Sequence, residues 1–200
     1  MVKSLSIGII GIQGAVSEHI TSMKEALKKK DTAGKVFVIK DKKEIDKIDG
    51  LLLPGGESTT ISKIIIKSGI YNKLFNKIKE DNLPVMGTCA GCVLLSSEIS
   101  NNKEEIKLLS AMNMKVKRNA FGRQKDSFET YIKINGFSNL FNAIFIRAPI
   151  IEKVWDSCKV LSKIDNNIIM ARQKNQLAIT FHPELTNDLR IHEYFLDMIK

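Results

Sequence analysis

Short apolar runs alternate with amphipathic stretches along the first half of the chain, and this alternation indicates an α/β fold. The apolar runs predict strands over residues 5–10, 36–39, 50–53 and 84–86. The segments between them space their apolar residues as helices do, which predicts helices over residues 16–29, 59–67 and 71–80. This alternation is typical of a parallel sheet with helices on both faces. Gly-rich turns follow three of the strands, so we expect these turns to meet at the carboxyl edge of the sheet.

The second half of the chain has a different pattern, in which short strands follow one another closely. They are predicted over residues 114–117, 128–134, 143–146, 160–164, 168–171 and 176–179. An amphipathic helix is predicted over residues 187–199. No repeat, low-complexity tract or linker interrupts the pattern, so we expect residues 1–200 to form one domain.

Composition and charge argue against several classes of protein. No apolar run approaches the roughly 20 residues that a membrane-spanning helix needs, and the first residues enter a strand without room for a signal peptide. The formal net charge is +9, but the lysines are scattered and not interleaved with aromatic residues, so we expect no nucleic-acid partner. Three cysteines give no disulfide framework, which favours a cytoplasmic location. No cluster with metal-ligand spacing is present, and no metal is predicted.

The most informative segment is a sharp turn around a cysteine. Gly87 and Gly91 flank Cys89, which lies between a predicted strand and an apolar run that predicts the start of a buried helix. A nucleophile elbow typically has the pattern small-x-Cys-x-Gly between a strand and a helix, where x is any residue. The free N–H groups at the start of the helix, and its dipole, favour a thiolate. We therefore predict that Cys89 is a nucleophile and not merely a buried core cysteine.

A cysteine nucleophile needs a base, and the chain contains three histidines. His19 lies in a charged helical stretch, and His192 lies in the C-terminal helix pattern. His182 instead follows the predicted strand at 176–179, within a His-Pro-Glu sequence. A histidine at a strand end, with a carboxylate two residues later, can act as a base with its orienting group. We therefore predict that His182 is the base and that Glu184 orients it.

A Gly-Gly turn after the predicted strand at 50–53 is the third candidate element. Gly55 and Gly56 allow a close backbone approach, and their N–H groups can bind an anionic oxygen. Ser58 or Thr59 can cap the helix that follows. The turn lacks the Gly-Lys-Ser/Thr ending of a phosphate-binding loop, so it does not predict a nucleotide site.

These three motifs together resemble the class I, or triad, glutamine amidotransferases. Further motifs narrow the resemblance to the glutaminase subunits of pyridoxal 5'-phosphate synthase. They are GIQGAV at 11–16, RNAFGRQ at 118–124, DSFE at 126–129, FIRAP at 145–149 and LT at 185–186. The matches run from near residue 7 to near residue 190, and their occurrence together and in order is highly specific.

The resemblance implies a flavodoxin-like class I glutamine amidotransferase fold, with a mostly parallel central sheet. It also implies hydrolysis of L-glutamine to L-glutamate and ammonia, through a thioester on Cys89. The backbone N–H groups that would form the oxyanion hole belong to Ala90 and to the turn at Gly55 and Gly56. The positions that match the family's glutamine contacts are Gly56, Glu57, Ser58, Arg118, Ile146 and Arg147. Among these, Arg118 suits the substrate carboxylate because a guanidinium fork pairs well with one.

The resemblance implies a protein partner as well. In this family the ammonia passes to a synthase subunit, which combines it with a pentose phosphate and a triose phosphate to make pyridoxal 5'-phosphate, a form of vitamin B6. Gln13 and Gly14 match the family's partner-facing loop. The glutaminase step needs no cofactor.

Two features depart from the family pattern. The lysine-rich segment at 28–35 is interpreted as a surface elaboration, whereas the other departure leaves rival functions open. Cys92 stands where an apolar residue is usual, and with Cys89 it forms a C-x-x-C sequence. Such a sequence is found in thiol–disulfide oxidoreductases, although that function would leave the Gly-Gly turn and the His-Pro-Glu sequence unexplained. Two more rival functions are a glutaminase that serves another synthase and a glutaminase-like binding subunit without activity.

Overall fold

A computed structural model describes residues 4–100, 105–120 and 127–199 of the chain. Its helices are α1 (Val16–Lys29), α2 (Ser58–Lys67), α3 (Ile70–Glu80), α4 (Ala90–Leu95) and α5 (Arg190–Met198). Its strands are β1 (Leu5–Ile10), β2 (Gly34–Ile39), β3 (Gly50–Leu53), β4 (Val85–Thr88), β5 (Ser96–Ile99), β6 (Met112–Lys117), β7 (Ser127–Ile132), β8 (Phe141–Ile146), β9 (Ile150–Val154), β10 (Lys159–Ile164), β11 (Asn167–Gln173) and β12 (Gln176–Ile179). Short 3₁₀ segments span Lys42–Lys47 and Pro183–Leu185.

The main sheet has the strand order β2-β1-β3-β4-β12-β11-β9-β6-β5, and β10 pairs with β11. The strands from β2 to β12 are all parallel to their neighbours. Beyond β12 the pairings are antiparallel as far as β6, and β5 is parallel to β6. The order of the parallel strands is that of a flavodoxin-like doubly wound sheet. The predicted mostly parallel α/β fold is therefore confirmed.

Two apolar layers cover the sheet, one on each face. On one face, Leu51 and Leu53 pack with the buried sides of α2, α3 and α4. On the other face, Leu52 packs with α1, α5 and the separate β7–β8 hairpin. Adjacent strand residues alternate between the layers because side chains of a strand point to opposite faces in turn. Within the described ranges, every helix falls short of the length and apolar character needed to cross a bilayer.

The predicted elements mostly match those observed, with differences at their ends. The bounds of β1, α1, β3 and β12 are as predicted. Strands β5 and β9 were not predicted, and the C-terminal helix begins at Arg190, later than predicted. The prediction that Ser58 or Thr59 caps α2 is wrong. Glu57 is the N-cap, because its longer side chain accepts hydrogen bonds from the backbone N–H groups of Thr59 and Thr60.

One arginine joins the start of α5 to the loop that precedes β8. Arg190 donates from Nη1 to the Asn139 carbonyl at 2.9 Å and from Nη2 to the Leu140 carbonyl at 2.8 Å. Its Nε donates to Asp188 Oδ1 at 2.9 Å, and its guanidinium lies 5.2 Å from the centre of the Phe137 ring. The planar fork of one arginine makes these contacts together, which the single ammonium of lysine does not reproduce.

We therefore expect Arg190→Lys to lower the free energy of unfolding by about 1.5–3 kcal/mol, the usual contribution of hydrogen bonds to a charged group. Urea unfolding at neutral pH measures this loss. A variant as stable as the wild-type protein would show that the contacts of Arg190 do not secure the β7–β8 hairpin.

Candidate active site

Cys89 lies at a strained turn between β4 and α4. Its backbone has φ +49° and ψ −103°, and its N–H donates to the Ile179 carbonyl at 2.8 Å. A Cβ on Gly91 would lie 2.0 Å from the Leu53 carbonyl oxygen, and a Cβ on Gly87 would lie 2.6 Å from the Gly91 backbone. Only glycines allow so close an approach, and the positive φ of a non-glycine residue is a strain that is common at functional sites. The turn is a nucleophile elbow in its geometry.

His182 reaches the same place from the neighbouring parallel strand, β12. Its backbone N–H donates to the Ile144 carbonyl at 2.8 Å, its ring makes a hydrogen bond with Glu184, and the ring and Cys89 both lie against Gly55. The distance from His182 Nδ1 to Glu184 Oε1 is 2.7 Å. The Glu184 side chain is completely buried. A thiol, an imidazole and a carboxylate thus lie together in the order that acyl transfer requires.

These contacts favour the charged forms of both His182 and Glu184. Burial by itself lowers the pKa of His182, but the interactions of its ring with Cys89 and Glu184 outweigh burial and raise this pKa to about 10. Burial by itself raises the pKa of Glu184, but the hydrogen bond to His182 and the nearby histidines lower it overall. The geometry therefore favours an imidazolium between a sulfur and a carboxylate.

The Gly-Gly turn lies against this group and is braced by the loop before α1. A Cβ on Gly55 would lie 2.7 Å from His182 Cε1 and 3.4 Å from the Cys89 Cβ. A Cβ on Gly14 would lie 2.0 Å from the Gly55 carbonyl oxygen. Gln13 Oε1 accepts a hydrogen bond from the Glu57 N–H at 3.2 Å. The loop with Gln13 and Gly14 therefore contacts the turn on which an oxyanion would depend.

Glu57 joins the start of α2 to the far side of the site. It accepts hydrogen bonds from the backbone and hydroxyl groups of Thr59 and Thr60, and its Oε1 lies 3.2 Å from Arg118 Nη2. Partial burial alone raises its pKa, but these hydrogen bonds lower it to about 2. Glu57 is therefore ionised at neutral pH and holds Arg118 at the rim of the site.

A cavity of about 340 Å³ opens in front of Cys89, which is a volume suited to a small molecule. All six residues predicted to contact glutamine line it, together with Cys89, Ala90, His182 and Gln13. The lining residues that were not predicted from the sequence are Val93, Asn119 and Pro149. Cys89, Asn119 and Arg147 all have positive φ, so three strained residues share this cavity. The motif residues 121–124 and 126 lie outside the described residues.

The second cysteine of the C-x-x-C sequence, Cys92, does not line this cavity. Cys92 is fully buried within α4, and burial together with the nearby cysteines raises the pKa of its thiol. Cys89, Cys92 and Cys158 are all free thiols. In the part of the chain that the structure describes, no group of histidine, cysteine, aspartate or glutamate side chains could hold a metal ion.

Two buried histidines behind Glu184 were not predicted to belong to the site. His19 and His192 are both completely buried, and they lie side by side with Nδ1 of His19 at 3.4 Å from Nε2 of His192. The available signal was the spacing of His19 from Met23, which places both residues on the buried face of α1. The charged residues next to His19 in the sequence instead suggested a solvent-exposed position.

Comparison with known proteins agrees with this geometry. The sequence model of the SNO glutamine amidotransferase family matches residues 9–200. The chain is 45% identical over 196 residues to the pyridoxal 5'-phosphate synthase subunit PdxT of Pyrococcus furiosus, covering 98% of this chain and 99% of that protein. It is 47% identical to PdxT of Thermosipho africanus, covering 98% and 100%. A crystal structure of a glutamine amidotransferase superposes with a TM-score of 0.86 at 37% identity, covering 96% of this chain and 98% of that one.

The raised pKa of His182 predicts a specific pH dependence of stability. The contribution of the charged ring is fully present below pH 6.5 and is lost as the pH rises towards about 10. The free energy of unfolding of the wild-type protein, relative to His182→Asn, should therefore fall across this window by at most about 1.4 kcal/mol per pH unit. Urea unfolding at several pH values measures this difference.

Removal of one partner of His182 provides the matched controls. Cys89→Ser and Glu184→Gln each remove one interaction that raises the pKa of His182. In each variant the stabilising contribution of the charged ring should therefore be lost at a lower pH than in the wild-type protein. A difference in stability that stays constant from neutral to alkaline pH would contradict the imidazolium assignment.

Proposed function

The chain belongs to the SNO glutamine amidotransferase family, and we propose that it hydrolyses L-glutamine to L-glutamate and ammonia as the glutaminase subunit of a pyridoxal 5'-phosphate synthase. One observation carries this proposal. Cys89, the base His182 and the matched glutamine-contacting positions all line one cavity. Relatives that are named as subunits of that synthase are similar to this chain over nearly its whole length.

The proposed reaction begins with a thiolate of Cys89. Its sulfur attacks the side-chain amide carbon of glutamine, and the C–N bond breaks as His182 gives a proton to the departing ammonia. Water then attacks the thioester while His182 takes up its proton, and glutamate leaves as the Cys89 sulfur is released. Glu184 holds His182 in the tautomer and orientation that both steps need.

The tetrahedral oxyanion of each step requires hydrogen-bond donors. The proposed donors are the backbone N–H of Ala90, at the first position of α4, and one N–H from the turn at Gly55 and Gly56. Loss of one such donor typically costs about 100–1000-fold in rate. The close contact between Gly14 and the Gly55 carbonyl supports a role for the neighbouring loop in setting the orientation of this turn.

The charged groups at the rim suit the amino-acid end of glutamine. Arg118 is placed to pair with the α-carboxylate, and the ionised Glu57 attracts the α-ammonium. The remaining proposed contacts come from Gly56, Ser58, Ile146 and Arg147, which line the same cavity.

The proposal extends to the partner, the domain organisation and the location of the protein. The ammonia passes to the synthase subunit, and Gln13 and Gly14 face that partner. Residues 1–200 act as one glutaminase domain. The three free thiols support a reducing, cytoplasmic location.

A thiol–disulfide oxidoreductase function has no support. Cys92 is fully buried, and its raised pKa disfavours the thiolate that disulfide exchange requires. The relatives instead support a glutaminase, and the intact cysteine, histidine and glutamate argue against an inactive subunit.

The first functional prediction concerns the nucleophile. Cys89→Ala should lower glutamine hydrolysis by at least about 10⁴-fold and leave the fold intact, because a small side chain replaces another. His182→Asn should lose activity similarly, and Glu184→Gln should lose less. Ammonia release in the presence of the synthase subunit measures these rates. Cys92→Val is the matched control and should keep its activity, whereas substantial activity in Cys89→Ala would refute the assignment.

The second functional prediction concerns coupling to the partner. The isolated chain should be nearly inactive, because ammonia without a receiver is wasted and a glycine turn can hold its N–H groups misaligned until a partner docks. Titration of the synthase subunit into a glutaminase assay should raise the turnover rate until it saturates. A turnover rate that does not depend on added synthase subunit would contradict this prediction.

A further inference from the structure

A buried polar network lies behind Glu184, on the side away from the cavity. His19 of α1 places its Nε2 3.0 Å from Thr88 Oγ1 and 3.4 Å from Glu184 Oε2. Its other nitrogen, Nδ1, lies 3.4 Å from Nε2 of His192, which belongs to α5. All four of these side chains are buried, and the proposed reaction assigns a role only to Glu184.

Glu184 needs a second hydrogen-bond donor. His182 satisfies Oε1, but Oε2 is buried and has no hydrogen-bond partner among the described residues. A buried carboxylate oxygen without a donor is costly, because water cannot replace the missing hydrogen bond. The nitrogen placed to serve Oε2 is Nε2 of His19.

This arrangement selects one tautomer of His19. If Nε2 lacked a proton, its lone pair would face the carboxylate of Glu184 and repel it. A proton on Nε2 instead makes its hydrogen bond with Thr88 Oγ1 and presents a partial positive charge to Glu184 Oε2 at 3.4 Å, and it leaves Nδ1 to accept a hydrogen bond from His192 Nε2.

His19 and His192 are both neutral in this arrangement. Burial is the main cause that lowers the pKa of His19, although Glu184 opposes it, and burial also lowers the pKa of His192 to about 3. The other charged groups that act on His19 are His182, which lowers its pKa, and Glu18, which raises it. Glu184 therefore faces a neutral imidazole, and its charge remains available to His182.

We propose that His19 is a positioning residue for the glutaminase reaction, whose Nε2–H supports Glu184 Oε2 while His192 fixes the tautomer of His19. This inference rests on the proposed function. Thr88 immediately precedes Cys89, so His19 also ties the end of the strand that carries the nucleophile to the carboxylate that orients the base.

Two amide variants of His19 separate its two nitrogens. Glutamine can place an amide N–H near the position of Nε2, whereas asparagine reaches only the position of Nδ1. With saturating synthase subunit, we expect His19→Asn to lower kcat at least about tenfold with little change in KM, and His19→Gln to remain within about threefold of wild type. Equal losses in both variants would contradict the proposal.

A double-mutant cycle tests whether His19 acts through Glu184. In a Glu184→Gln background, His19→Asn and His19→Gln should have nearly equal kcat, because the carboxylate that distinguishes them is absent. Met23→Ala, one turn along the buried face of α1, is the control for general loosening of the helix. It should lower Tm and keep the wild-type kcat below its melting temperature. A loss of kcat in Met23→Ala equal to that of His19→Asn would indicate a merely structural role.

A spectroscopic measurement on the wild-type protein does not depend on activity. Long-range ¹H–¹⁵N spectra of the imidazole rings should show His19 as the neutral tautomer with its proton on Nε2. A proton on Nδ1 would overturn the proposal even if the variants lose activity. If the wild-type protein does not hydrolyse glutamine with the synthase present, the proposed function fails, while the tautomer still tests the arrangement around Glu184.

Discussion

A buried carboxylate is the constraint on which the site depends. Glu184 is completely buried and ionised, which is tolerated only where donors satisfy its oxygens. His182 supplies a donor to one oxygen from the loop after β12, and Nε2 of His19, on α1, lies 3.4 Å from the other. One charge therefore fixes the relative positions of two elements that are far apart in sequence. The same charge contributes to the raised pKa of His182 and so favours its imidazolium form.

The parallel sheet brings the other groups to this carboxylate. β1, β3, β4 and β12 are adjacent and parallel, so the loops that follow them meet at one edge. Close packing between these loops then requires glycine where backbones touch, as at Gly91 against the Leu53 carbonyl. A Cβ at that position would push β3 away from the elbow. The turn around Cys89 and the Gly-Gly turn are therefore parts of one packed structure.

The sequence predicted the fold well where local signals and tertiary packing agree. The elements β1, α1 and β3 have clear apolar periods, and the structure gives them the predicted bounds. β5 was missed because it is short and its pattern SSEI has one apolar residue. The cap of α2 was misplaced because a glutamate side chain, longer than the usual capping residues, reaches back to the helix N-terminus.

The candidate site was predictable only in the part that has local motifs. Cys89, His182 and Glu184 lie in recognisable turns, and the structure brings them together, while their catalytic roles stay predictions. His19 and His192 have no motif, and a helix pattern alone cannot say that two histidines from α1 and α5 meet behind a carboxylate. Asn119 and Pro149 were missed for a similar reason, because their place in the cavity depends on where the main sheet puts the end of β6 and where the β7–β8 hairpin packs against that sheet.

Helix α1, with the loop that precedes it, contacts both the Gly-Gly turn and the carboxylate of Glu184. The loop at its start, with Gln13 and Gly14, contacts the turn that would bind the oxyanion. One turn into the helix, His19 reaches Glu184 and Thr88. Farther along, Met23 and Leu27 belong to the apolar layer that α1 shares with α5. Since a packed helix moves as a unit, a force on its first residues acts on the turn and on the support of Glu184 together. Independent loops would align the oxyanion donors and orient the base separately, whereas this arrangement makes the two depend on the position of one helix.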